Sequence, residues 1–426
     1  MIWALILVAF WVLLAIHSLV SLRLLLHAWD APGRAADARV WAVASETPTT
    51  SFSLIVPARD EAKVIAGTLA SLAELDYPRS RWDVVVVCHR SDRETIEAVK
   101  RSMARSDWEA DVELLIYDGP HQSKPAALNQ ALAVCRGDYV GIVDAEDDVR
   151  PGLLRMVDAL VAQTGATVVQ GGVQLMNIHG PWFATLNCLE YYAWFGSRLH
   201  HDASLGAMPL GGNTVFFSRR VLEEVGGWDP TALTEDADIG IELSLRGEHF
   251  RVFYEPSVTT REEAPVTIGG FVRQRTRWHQ GFLQILFAGR WRKLRRREQR
   301  MLVGYTLTYP FVAAVTATLW PIAVAALFVV RLPPMLVLVS LIPLLVLFLH
   351  GASQLVLYRE FVETYRLAPR AKGYLNVVLG VIPYSLLLGL SSYRAMFRML
   401  TGRLAWEKTV HLGAHREGVG HEAAAV

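Results

Sequence analysis

The sequence predicts an α/β domain built on a mainly parallel sheet and joined to α-helical transmembrane segments. Three observations predict it. Strand and helix patterns alternate between residues 52 and 143. The strand segments are continuously apolar, as in sheets covered on both faces. Four stretches without Asp, Glu, Lys or Arg, at 1–22, 301–330, 332–358 and 373–393, each reach the ~20 residues needed to cross a bilayer.

The first uncharged run reads as a retained anchor rather than a secretory signal, because no basic segment precedes it and it exceeds the ~7–15 residue apolar core of such signals. Arg23, Arg34 and Arg39 follow it, so the positive-inside bias places residue 30 onward in the cytosol. The pattern then predicts strands at 52–57, 83–88, 112–117 and 139–143 and helices at 61–75, 95–105 and 125–135. Ligands of such sheets bind beyond the carboxyl ends of the strands. That directs attention to 57–61, 88–92, 117–124 and 144–148. Residues 269–300 read as one basic amphipathic helix, in which arginines including Arg273, Arg275 and Arg277 surround Trp278, Phe282 and Trp291. Such a helix beside a span suits an anionic leaflet, so membrane lipids are an expected partner.

Hydrophobic residues are 52% of the 426, and 42 basic residues nearly balance 41 acidic ones. Nucleic acid, which selects a basic surplus, is not an expected partner. Three cysteines without metal-ligand spacing exclude a disulfide framework and a structural zinc site.

The densest chemistry is Asp144-Ala145-Glu146-Asp147-Asp148 at a strand end. In extended backbone Asp144 and Glu146 share a face and can hold one divalent ion or one ion and a ribose. Mg2+ or Mn2+, both suited to hard oxygen ligands, would neutralise a departing diphosphate. A second acidic group, Thr234-Glu235-Asp236-Ala237-Asp238, opens a helix. It reads either as a Thr234 cap with acids favoured by the helix dipole or as a general base for an acceptor hydroxyl.

These groups stand in an ordered set. It begins with Val56-Pro57-Ala58-Arg59-Asp60-Glu61 and Ser123-Lys124-Pro125, continues through the Asp144 run and Gly211-Gly212-Asn213 to Thr234-Glu235-Asp236, and ends at Gln274-Arg275-Thr276-Arg277-Trp278. Over roughly residues 50–300 it resembles the family 2 glycosyltransferases with a GT-A fold, in particular the membrane-integrated branch of cellulose, hyaluronan and poly-N-acetylglucosamine synthases. The resemblance implies a Rossmann-like GT-A domain at 45–265 between an anchor at 1–26 and an interfacial region at 266–300. A transmembrane bundle at 301–398 and a polar tail at 399–426 follow.

It further implies inverting transfer from a nucleotide sugar, a UDP-sugar being favoured, to a saccharide or lipid-linked acceptor at the cytosolic face of the inner membrane. Pro57, Glu61, Asp92, Lys124 and Asp144 would bind the donor, and Asp144 with Glu146 the metal. Asp236 would be the base, while Gln274, Arg277, Trp278, Glu235 and Asn213 would border acceptor and pyrophosphate. Plainer readings are that Lys124 faces solvent, Trp278 is an interfacial anchor, Arg277 meets lipid phosphate and Asn213 occupies a turn with positive φ. His200 and His201 read as structural. Other readings of the whole are a polyprenyl-phosphate sugar transferase, whose acceptor needs no base, and a silent membrane scaffold.

Trp406-Glu407-Lys408-Thr409 resembles a segment that returns to the active site in some relatives, which demands a cytosolic tail. Three crossings after a cytosolic domain would leave the tail outside, whereas Arg394, Arg398, Arg403 and Lys408 favour the inside, so either one run is not a simple crossing, with 373–393 and its Pro383 the suspect, or the resemblance of the tail misleads.

Overall fold

A computed structural model describes residues 2–30, 37, 39–41, 48–105, 112–329, 334–403, 407, 412–413 and 415–416. An apolar helix, α1 (Ile2–Asp30), precedes four strand–helix units: β1 (Phe52–Ala58), α2 (Ile65–Ala73), β2 (Trp82–His89), α3 (Arg93–Arg105), β3 (Val112–Tyr117), α4 (Lys124–Leu132), β4 (Tyr139–Ile142) and α5 (Leu153–Thr164). Each predicted element is present. The helix expected from residue 61 starts at Ile65, because Asp60 takes a left-handed φ of 54° and residues 61–64 form a turn, with Val64 N bonded to Glu61 O at 3.1 Å.

The chain continues with β5 (Val168–Gln170), β6 (Val173–Leu175), α6 (Trp182–Ala193), α7 (Leu199–Leu205), β7 (Val215–Ser218), α8 (Arg219–Val225), α9 (Glu235–Arg246), β8 (Phe250–Val252) and β9 (Thr260–Glu262). Seven strands form one sheet in the order β3-β2-β1-β4-β7-β5-β8, and β6 pairs with β9 in a second. Every pairing is parallel except those of β7 with β4 and β5. The alternation of side chains sends Ile55, Val85 and Val87 to one face, against Ala127 and Leu128 of α4, and Leu54, Val84 and Val86 to the other, against Leu69 of α2 and Val99 of α3. All of these are buried, which is why the strands read as continuous apolar runs.

Four helices close the fold: α10 (Ile268–Ala288), α11 (Arg297–Val329), α12 (Pro334–Thr364) and α13 (Ala371–Leu400). The basic stretch read as one helix is two. α10 stops at Gly289, which adopts the left-handed φ of 71° that ends a helix without steric penalty, and Arg297 begins α11. Nor does Arg275 face lipid. It is 5% exposed, with its guanidinium on both Glu190 oxygens at 2.7 and 2.8 Å and on Asn187 Oδ1 at 2.6 Å. Among the described residues four helical segments are long and apolar enough to cross a membrane, Val8–His27, Arg297–Pro321, Leu341–Thr364 and Ala371–Leu400. The end of α12 enters the α/β core, where Tyr358 and Phe361 are fully buried and Glu360 accepts a hydrogen bond from Tyr192 at 2.9 Å.

Candidate active site

β4 ends at Ile142, so the Asp144 run is not extended, and the face-sharing argument for Asp144 and Glu146 does not hold. The run is a turn, closed by Asp147 N on Asp144 O at 3.1 Å and by the Asp147 carboxylate on Asp144 N at 2.8 Å. Its far end is tied to β9 by reciprocal bonds between Asp148 and Arg261 at 2.9 and 3.0 Å. The turn aims Asp144 at Lys124, the first residue of α4. The Lys124 ammonium pairs with the Asp144 carboxylate, donates to Gly212 O at 2.8 Å and lies 3.9 Å from Glu235. Its side chain is 18% exposed, so the solvent-facing reading is overturned. Burial opposes the charge, but Asp144, Glu235 and Asp236 outweigh it and raise the Lys124 pKa above its ordinary range.

Asn213 is placed by β7. Thr214 N bonds Ile142 O at 2.7 Å and carries the positive φ, 49°, expected at Asn213. Asn213 therefore has a side-chain task. Its amide donates to both Asp147 oxygens, at 3.0 and 3.1 Å, and to Glu262 of β9. Asp147 is fully buried, and desolvation, Glu262, Asp144 and Glu146 hold its carboxyl well above the usual carboxylate range. Sequence reasoning missed Asp147 and Glu262 as members of this cluster. Asp147 lay within the acidic run, but Glu262 sits on a three-residue strand with no motif to mark it.

Asp236 lies in the first turn of α9. Thr234 does not cap that helix: its hydroxyl is buried with no hydrogen-bond partner among the described residues, turned against Gly281 of α10. The Thr234 half of the capping reading is thereby corrected, while Glu235, Asp236 and Asp238 do occupy the first turn, where the helix dipole favours acids. A Cβ built on Gly212 would stand 3.0 Å from Asp236 Oδ2 and 3.4 Å from Lys124 Nζ, so base candidate and cation meet over a residue without a side chain. Desolvation raises the Asp236 pKa, and desolvation together with Asp236 pushes Glu235 up to about 7, while Lys124 and Arg277 act in the opposite direction on both. Arg277 thus faces this cluster electrostatically. Trp278 is half-buried, with the Arg275 guanidinium 4.6 Å above its ring centroid and Tyr191 6.4 Å away, which makes it part of the domain rather than a free anchor. Gln274 Oε1 is buried without a hydrogen-bond partner among the described residues, an acceptor that a bound hydroxyl could satisfy.

Pro57, Glu61 and Asp92 lie at the β1 and β2 ends of the same sheet edge. Pro57 closes β1 beside Val87, and Glu61 is buried with its amide on Thr95 Oγ1 at 3.0 Å. The Asp92 carboxylate accepts from Asp60 N at 2.5 Å and Thr95 N at 3.2 Å, holding the left-handed Asp60 and the start of α3. His200 and Asp37 are paired at 3.1 Å and His201 meets Asp202 at 3.3 Å, structural roles as expected.

The tail returns to this edge. Glu407 pairs with Arg394 at 2.7 Å and Arg398 at 3.0 Å, and Gly413 N bonds Glu263 at 3.1 Å. Arg416 donates to Asp147 O at 2.7 Å, Glu146 O at 3.2 Å, and Val64 O and Thr68 Oγ1 at 2.9 Å. Trp406, Lys408 and Thr409 lie outside the described residues.

A divalent ion is tested by the same geometry. Among the described residues no three acids, histidines or cysteines form a ready cage. Asp144 offers hard oxygens and already attracts a cation in Lys124, which suits an ion whose other ligands come largely from the phosphates of a substrate; no extended strand brings Glu146 onto its face.

Residues 48–281 match the family described as "Glycosyltransferase like family 2". The chain belongs to the family 2 glycosyltransferases. It is 28% identical over 254 residues to a probable glycosyltransferase, YdaM, of Bacillus subtilis, covering 58% of this chain and 59% of the relative. It is 30% identical over 278 residues to the beta-monoglucosyldiacylglycerol synthase of Synechocystis, covering 64% and 56%. To the poly-beta-1,6-N-acetyl-D-glucosamine synthase of Staphylococcus epidermidis it is 24% identical over 270 residues, covering 62% of each. The matches thus span 56–62% of the length of these relatives. Among solved structures, a mannosyltransferase from Pyrobaculum calidifontis in complex with GDP-Man and Mn2+ superposes with a TM-score of 0.55 at 21% identity, over 88% of this chain and 98% of that one, which shows the shared GT-A fold.

Proposed function

We propose that the chain is a membrane-bound, inverting glycosyltransferase that moves a sugar from a nucleotide-sugar donor to a saccharide or lipid-linked acceptor at the cytosolic membrane face. The observation that carries this reading is the meeting of Asp236 and the Lys124–Asp144 pair over Gly212, at the carboxyl edge of the sheet. The nucleoside would lie over Pro57, Glu61 and Asp92, and the diphosphate beside Lys124. Asp144 and Glu146 would hold Mg2+ or Mn2+, which supplies charge neutralisation to the leaving diphosphate.

The chain's own residues then have defined tasks. Asp236 takes the proton from the acceptor oxygen, which attacks the anomeric carbon opposite the leaving group, so an α-linked donor gives a β-linked product. Lys124 and Arg277 offset the charge developing on the diphosphate. Trp278 offers a sugar an apolar ring face, while Gln274 Oε1, Asn213 and Glu235 border the acceptor side. Relatives named for a glycolipid and for a polysaccharide support an acceptor of either kind.

The test is purified full-length protein in lipid nanodiscs, supplied with a panel of nucleotide sugars and Mg2+ or Mn2+. Nucleotide release and product mass are read together. Transfer dependent on a divalent ion supports the reading; silence across the panel, with donor binding also absent, favours a scaffold.

A further inference from the structure

A separate cavity of about 210 Å³ lies between the loop that leads into α9 and the last turns of α10. Asp229, Thr231 and Thr234 stand on the loop side, Gln284 and Ala288 on the helix side, and Arg290 closes one end. Its lining includes none of Lys124, Asp144 and Asp236, so it is not the cleft described above. The loop is held on both sides of this space. Ser123 Oγ donates to Pro230 O at 3.1 Å, and the Asn129 side chain bonds Trp228 N and O at 2.9 and 2.7 Å. Beyond the cavity, Leu233 N donates to Gln284 Oε1 at 3.0 Å.

The chemistry of the wall selects its occupant. Arg290 is committed to α9, bonding Asp238 at 2.5 Å and Glu242 at 3.2 Å. Its charge is thereby offset, and Asp229 leaves the wall with surplus negative charge, which opposes a phosphate, a nucleotide or an acidic headgroup. What remains alternates in kind. The Asp229 carboxylate accepts, and Gln284, whose Oε1 is used by Leu233, keeps its Nε2 as a donor. Thr234 is 6% exposed, and its hydroxyl is without a hydrogen-bond partner among the described residues. Ile285 and Ala288 add an apolar floor. Donors and acceptors around an apolar floor suit a neutral polyol. At ~30 Å³ per water the space holds about seven waters, enough for one sugar ring and too little for a nucleotide.

We propose that this cavity is a second carbohydrate site, which takes one neutral sugar unit, free or as a distal unit of the acceptor, and steadies the loop that leads to Asp236. Thr234 O accepts from Asp238 N at 3.1 Å, so an occupant packed on Thr234 and Asp238 bears on the first turn of α9. That turn carries Asp236, which shares with Lys124 the space over Gly212. Holding the turn in place favours turnover, because a catalytic group gains from being fixed before reaction. Binding in the cavity assumes no reaction, whereas its effect on turnover rests on the proposed sugar transfer.

The test uses full-length protein in lipid nanodiscs with a panel of neutral methyl glycosides and short oligosaccharides. Binding is read by saturation-transfer NMR and turnover by nucleotide release. Ala288→Phe fills the cavity from an exposed position, and Asp229→Ala removes one of its acceptors; neither residue belongs to the proposed catalytic set. A glycoside should bind the wild type saturably and raise turnover several-fold. Both variants should lose the binding and the stimulation, while basal turnover and donor affinity by calorimetry stay unchanged. Stimulation by methyl glycosides identifies a free sugar as the occupant, and stimulation by oligosaccharides alone identifies a distal acceptor unit. A glycoside signal unchanged in both variants, or none across the panel, overturns the site. Transfer that proceeds in such a protein leaves the catalytic reading standing, and a signal lost in both variants without any transfer does the reverse.

Discussion

Glu235 and Asp236 stand side by side at the start of α9 and both face the same cation: Glu235 sits 3.9 Å from the Lys124 ammonium, and Asp236 Oδ2 shares with Lys124 Nζ the space over Gly212. If Asp236 is the base, Asp236→Asn should lower turnover by about 10²–10⁴-fold while donor affinity, read by calorimetry, stays near wild type. Near-normal turnover would instead point to an acceptor that is already anionic, the polyprenyl-phosphate alternative. The pH profile gives a second check. Burial raises the Asp236 pKa, so on acidification the carboxylate is protonated earlier than an ordinary one, and kcat/KM should fall on an acid limb displaced upward from the usual carboxylate range. Glu235, pushed up to about 7 by burial and by the Asp236 charge, takes up its proton before Asp236 does on acidification. Glu235→Gln should therefore leave the Asp236 limb in place, and a limb that moves to lower pH would show the two carboxylates titrating as one unit.

At the level of elements, the Asp144 turn is fastened from three directions, by β9, by Asn213 after its glycine pair and by Arg416 of the tail. The guanidinium occupies space left by Gly67 of α2, where a Cβ would collide with it, and it holds the Glu146 and Asp147 carbonyls without touching the carboxylates in any contact described. Charge-assisted hydrogen bonds of this kind contribute about 1.5–3 kcal/mol. Arg416→Ala should raise the divalent-ion concentration for half-maximal activity several-fold with little change in kcat at saturation, and an unaltered ion dependence would remove the tail from the site. A second joint is the crossing of α9 and α10, where Gly281 leaves room for Thr234. Gly281→Val should destabilise by about 1–3 kcal/mol through overpacking and displace Asp236 from Lys124, read as a lower Tm together with lower activity.

These joints mark what was legible beforehand. Local composition exposes apolar strands and uncharged helices, and the order of the Lys124, Asp144, Asn213 and Asp236 motifs exposes the residues of the site. Asp147–Asn213–Glu262 and Arg416–Gly67 depend on pairs far apart in the chain, which no local pattern encodes. The extended reading of Asp144–Glu146 failed because β4 stops two residues short of Asp144, and the Thr234 cap failed because packing against α10 claimed its side chain.

The whole molecule is less divisible than its motif map suggests. A catalytic unit at 45–265 with separate membrane parts is the arrangement the sequence invites, yet the α/β core continues into the helices. Tyr358 and Phe361 of α12 and Val377 of α13 are buried among sheet and α6 residues. Arg275 of α10 depends on Glu190, which Tyr384 of α13 also engages. Removing residues 297–426 would uncover these apolar surfaces, each large side chain giving up about 1.5–3 kcal/mol of burial. It would also leave the Glu190 charge without one of its partners. Losses of that size compare with the ~5–15 kcal/mol by which domains are ordinarily stable. A chain ending at residue 296 is therefore expected to aggregate or to unfold without cooperativity, and to bind no donor. Co-expressing residues 297–426 as a second polypeptide should recover folding and activity in membranes. A detergent-solubilised 1–296 fragment with a sharp thermal transition and intact donor binding would show that the C-terminal helices are attachments to the catalytic domain rather than parts of its core.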